Sequence, residues 1–104
     1  MKQTSISIGG RQNVNPKEVI RLQADINYTR VFLADGKKIL VATTLKEIEI
    51  RFSAFPKFVR INKSVIINID CIKYINDEQI IFQNGETLTP SRRRKKAFFA
   101  IYHH

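Results

Sequence analysis

Apolar and polar residues alternate with a period of two along most of this chain and switch to helical spacing only twice. Ile6 and Ile8 alternate with serines ahead of Gly9-Gly10, which predicts a short edge strand and a turn. Asn15-Pro16-Lys17-Glu18 reads as a tight turn or one helical turn leading into a strand over 19–24. Between residues 28 and 34, Tyr28, Arg30 and Phe32 fall on one face and Thr29, Val31 and Leu33 on the other. Asp35-Gly36 then supplies the positive φ angles of a two-residue hairpin, with 38–42 returning antiparallel. Leu45, Ile48 and Phe52 recur at helical spacing behind Thr44, with Glu47 placed to complete a capping box, so a helix is predicted over 44–52. Pro56 ends any continuation, and Phe55 and Phe58 are expected to cover the core beside it.

Residues 58–62 read as a short strand, and 64–68 as a strand or a single helical turn. Strands are predicted over 71–75 and 79–82, the second turning through Asn84-Gly85 to pair with 87–89. Asn68 reads as satisfying backbone groups near the core, and Asn84 as setting the hairpin. Ser91 is a candidate N-cap for a last helix over 92–102. At 100° per residue Ala97, Phe98 and Ile101 share one face, while Arg92, Lys95 and Lys96 share much of the other. Arg94 then points toward the apolar side and Phe99 toward the basic side, so the basic run does not supply five equivalent ligands. Many short strands, two hairpin turns and two short helices predict a β-rich α+β fold, with residues 1–104 forming one domain.

Charge changes the picture more than length does. Eighteen Lys and Arg against nine Asp and Glu leave a formal net charge of +9, which favours phosphate-rich partners without saying anything about fold. An anionic membrane surface or an acidic protein also satisfies that charge. The single Cys71 excludes an intramolecular disulfide and reads as a small buried hydrophobe. The polar start does not resemble a signal peptide, and no apolar run approaches the roughly 20 residues of a membrane helix. A cytoplasmic setting without membrane contact is therefore expected.

Catalysis has no foothold. The imidazoles, His103 and His104, stand at the extreme C-terminus, where they are either native or the remnant of a purification tag. No Cys/His spacing suits a metal, no Gly-rich loop suits a phosphate cofactor, and the carboxylates are scattered. The expectation is no enzyme, no metal, no cofactor and no small-molecule substrate.

A set of ordered blocks carries a resemblance. They are Ala24 with Asn27-Tyr28, Asp35-Gly36-Lys37, Thr44 to Ile48, Phe58-Val59-Arg60-Ile61-Asn62-Lys63-Ser64, Ile67-Asn68 with Ile72, Asn84-Gly85, and Ser91-Arg92-Arg93 before two lysines. Together the chain resembles the LytTR family of bacterial DNA-binding domains. That resemblance implies an elongated arrangement of small antiparallel sheets, with loops from one edge entering successive major grooves of a bent duplex. It implies base contacts from Asn27, Tyr28, Asn62, Lys63 and Arg92. The family commonly has His where Asn62 stands here, which leaves the base preference at that position open. It also implies paired direct repeats as the target, with two copies in tandem on DNA and a monomer or weak dimer in solution. Family members usually carry this domain behind a receiver or a membrane segment; neither precedes it here, so a stand-alone transcription regulator is expected.

The residues themselves fit base reading to different degrees. Arg92 and Lys63 both donate to guanine O6 and N7, Arg in bidentate geometry, while Lys63 serves a phosphate equally well. Asn62 suits either adenine or a structural turn. Arg60 lies between Val59 and Ile61 and points opposite to them, as a phosphate clamp or as an ion pair with Glu47 or Asp70. Ser64, Arg93, Lys95 and Lys96 fit phosphate contacts, and Arg30 extends the positive surface beside Tyr28. Two rival readings remain: a module for RNA or single strands, and a basic protein-interaction module facing an acidic partner.

Overall fold

A computed structural model describes residues 5–102 of the chain; His103 and His104, the imidazole candidates, lie outside the described residues. The centre is a five-stranded antiparallel sheet in the order β5-β4-β3-β7-β6, built from β3 (Val19–Asp25), β4 (Tyr28–Leu33), β5 (Lys38–Val41), β6 (Phe58–Asn62) and β7 (Val65–Asn68). A hairpin of β1 (Ile6–Gly9) and β2 (Gln12–Val14) stands apart from it. So does a three-stranded sheet of β8 (Ile72–Asn76), β9 (Gln79–Phe82) and β10 (Thr87–Leu88). Two helices complete the fold, α1 (Leu45–Arg51) and α2 (Arg92–Tyr102). The predicted α+β class, with small antiparallel sheets and two short helices, is what forms; the molecule extends 39 × 34 × 24 Å.

Two apolar cores flank the central sheet. On one face Leu22, Val31, Val41 and Ile66 meet Ile6 and Ile8 of the first hairpin and Leu45, Ile48 and Phe52 of α1. Phe58 closes this core edge-on against Phe52, with ring centroids 4.7 Å apart. On the other face Ile20, Val59, Ile61, Val65 and Ile67 meet Ile72, Ile80 and Phe82 and the Phe98 ring of α2. β7 therefore buries side chains on both faces, which explains its unbroken Val-Ile-Ile run and resolves it as strand rather than helical turn.

Local chemistry matches the pattern in most places. Thr44 Oγ1 accepts from the Glu47 N–H at 3.2 Å, but the Glu47 carboxylate does not return to close the capping box; it accepts from Arg51 Nε at 3.3 Å. Asn68, buried, donates to the Val19 carbonyl at 2.9 Å and accepts from the Asp70 N–H at 3.0 Å. Asn84 accepts from the Glu86 N–H at 3.0 Å across its hairpin.

The face of α2 differs from the expectation. Ala97 and Ile101 are exposed, while Phe98 is buried and Phe99 and Tyr102 pack on the second core. Three aromatic rings bury far more area than an alanine and an isoleucine, so they set the helix rotation. Cys71 is half-buried against the same core, and burial followed by the Asp70 charge pushes its thiol up.

Candidate nucleic-acid interface

Strand direction gathers the candidate residues. β3 and β6 each pair antiparallel with β7, so they run the same way and end at the same edge of the sheet. The turns that follow them, Ile26-Asn27 and Lys63-Ser64, therefore project from one end, and the Asp35-Gly36 turn lies at the other. A backbone hydrogen bond from Ala24 N–H to Ser64 O, 2.8 Å, ties the two tips together. A second, from Ser91 N–H to Ile61 O at 2.8 Å, fastens the start of α2 to the same end. Ser91 also caps α2, its Oγ accepting from the Arg94 N–H at 3.3 Å.

An open depression of about 600 Å³ lies among these elements, lined by Gln23, Asn62, Lys63, Ser64, Arg93 and Arg94. Gln23 also borders a second, polar depression that continues past Asp25 and Arg30 to Phe32 and Lys38. The structure thus brings Asn62, Lys63, Ser64 and Arg93 into one surface and sets Arg30 on the adjoining one. Arg92, Lys63, Asn27 and Tyr28 are exposed around this end. Lys96 is exposed one helical turn beyond Arg92, while Lys95 turns aside to pair with Glu78 at 2.6 Å.

Arg60 is the structural centre of the second tip. Its Nε donates to the Asn62 carbonyl at 3.2 Å and its Nη2 to the Lys63 carbonyl at 2.5 Å. Its Nη1 pairs with Glu49 of α1 at 2.7 Å, in place of Glu47 or Asp70, which pair with Arg51 and Lys57. With only 17 % of the side chain exposed, the guanidinium is committed to the fold from beneath the turn. Asn62 tightens the same turn, its Oδ1 accepting from the Ser64 N–H at 2.7 Å, so the structure shows the turn role of Asn62.

Arg30 donates to Asp25 at 2.5 Å, an exposed pair that braces the first tip across the hairpin. Three residues outside the expected set help shape this end. Gln23 and Arg94 line the first depression, and Arg21, largely buried, lines the second, stacked 3.9 Å from the Phe32 centroid and paired with Glu86 at 2.6 Å. Burial works against the charged Glu86, but hydrogen bonds from Asn84 and Arg21 and the charges of Arg21 and Lys38 hold its carboxyl below the ordinary range. The alternation of Arg21, Gln23 and Asp25 with Leu22 and Ala24 was the available signal for that polar face. No group of three or more His, Cys, Asp or Glu among the described residues suits a metal ion. No helix among them is long and apolar enough to cross a membrane.

By fold this is a β-rich α+β domain whose cationic turns and second helix start converge at one end of a sheet. The chain belongs to the LytTR family of DNA-binding domains: the model of the LytTr DNA-binding domain matches residues 10–103. The structure is similar to that of a LytTr DNA-binding domain from Bacillus cereus, with a TM-score of 0.71 and 21% sequence identity over 98% of each chain. A comparison with curated proteins finds no match.

Proposed function

We propose that residues 1–104 act as one domain that binds duplex DNA sequence-specifically and regulates transcription. The β3–β4 tip, the β6–β7 tip and the start of α2 enter the major groove, where Asn27, Tyr28, Asn62, Lys63 and Arg92 meet base edges. Arg30, Ser64, Arg93 and Lys96 take the flanking phosphates. Arg60 and Lys95, tied to Glu49 and Glu78, act by holding the turn and the helix in place. Two copies occupy paired direct repeats, and no chemical step or cofactor is involved.

The observation that carries this reading is the convergence of three separate chain segments, hydrogen-bonded to one another, at a single sheet end. Three segments locked in register present fixed donors, which base reading needs and a simple polycation does not. Selection of bound sites from a random duplex pool is the test. A motif is expected, and Arg92→Ala should lose about 5- to 150-fold of discrimination at one base position, the range of one bidentate pair. Uniform weakening on every sequence would instead make Arg92 a backbone contact. Competition with single-stranded DNA at fixed salt should favour the duplex.

A further inference from the structure

Ile26 is hard to account for by folding. It occupies the first position of the two-residue β3–β4 turn with φ at +58°, a conformation that crowds a β-branched side chain. Asp77, which adopts the same angle in the β8–β9 turn, is of a type that tolerates it. The Ile26 side chain is also 92% exposed, more than any other large hydrophobic residue described. It gains no burial and it strains the backbone, at a tip where Gly or Asn is the ordinary choice.

Its position explains more. Ala24 is hydrogen-bonded level with Ser64, and the chain runs on through Asp25, the last residue of β3, to set Ile26 beyond that level in the turn. Ile26 is then the foremost apolar group on the end that carries Asn27, Lys63 and Arg92. In a major groove the apolar partner on offer is the 5-methyl group of thymine. We infer that Ile26 reads thymine through this methyl group, as an apolar specificity contact beside the polar ones; the inference rests on the duplex-binding reading above. The exposed Asp25–Arg30 pair steadies the tip from behind without covering the side chain.

The experiment replaces each thymine of the selected duplex, one at a time, with uracil, which removes only the methyl group. Binding is measured for the full chain and for Ile26→Gly, which suits the positive φ and keeps the fold, as a thermal melt verifies. At one or two adjacent thymines the change to uracil is expected to weaken the unaltered protein about fourfold, the worth of one buried methyl group. Ile26→Gly is expected to bind the thymine and uracil duplexes alike at those positions. Equal penalties in both proteins, or no penalty in either, would overturn the inference while leaving duplex reading intact. Failure of the pool to yield any motif would instead remove the duplex reading, and this inference with it.

Discussion

The two tips that share one end of the central sheet are held in opposite ways. The Lys63-Ser64 turn is braced from inside, by Arg60 on two of its carbonyls and by the Asn62 side chain on the Ser64 N–H. The Ile26-Asn27 turn has behind it an exposed ion pair and the backbone bond from Ala24 to Ser64, and it holds a residue in a conformation it disfavours. One tip uses its cation to become rigid; the other leaves its cation and its apolar side chain facing outward. A basic residue therefore serves folding or binding according to where its guanidinium can reach, and sequence composition does not separate the two.

Breaking the internal brace should have the largest effect. Arg60→Met keeps the length of the side chain but leaves two turn carbonyls and Glu49 without their partner. Hydrogen bonds to a charged group are worth about 1.5–3 kcal/mol, and the half-exposed Glu49 recovers part of its share from water. The expected loss is about 2 kcal/mol, read as a lower urea midpoint at unchanged slope. Selectivity at the bases facing Asn62 and Lys63 should fall with it, since both stand on the loosened turn.

The same kind of change at the other tip should act in reverse. Ile26→Gly removes strain of order 1–3 kcal/mol, against an entropic cost of about 0.5–1 kcal/mol for glycine. A net gain of about 1 kcal/mol is expected, seen as a melting temperature roughly 4–8 °C higher. A destabilised variant would mean that Ile26 supports the fold, and the contrast between the tips would vanish.

Much of the fold was legible because its signals are local. Asp35-Gly36 and Asn84-Gly85 announce their hairpins through turn chemistry, and Leu45, Ile48 and Phe52 announce α1 by period. β2 escaped because Gln12-Asn13-Val14 has a single apolar residue and gains its place only by pairing with β1. The α2 face was misjudged because angular averaging weighs Ala97 like an aromatic ring. Around the interface, the type and order of the cations could be read, but their partners could not. Glu49 reaches Arg60 only because α1 packs on the sheet face opposite the one that carries Val59 and Ile61, and Lys95 meets Glu78 through a turn 17 residues away. Arg21 was missed for a related reason: a cation in a strand defaults to the solvent face, and its burial depends on Phe32 and Glu86.

The smallest effects on stability, and the sharpest separation, come from the first tip's ion pair. Asp25 and Arg30 are each nearly half exposed, so Arg30→Gln should change folding stability by no more than about 0.5 kcal/mol. Its effect belongs to binding. Losing one phosphate contact weakens affinity on all sequences alike and reduces the salt dependence, log K against log salt, by about 0.9. Asp25→Asn should do the converse, because it frees Arg30 from a carboxylate that competes with phosphate and removes a negative charge from the surface. Titrations at several salt concentrations distinguish the pair of outcomes. An Arg30→Gln variant with an unaltered slope would show that Arg30, like Arg60, is spent within the protein, and that only the second tip and α2 remain to meet the backbone.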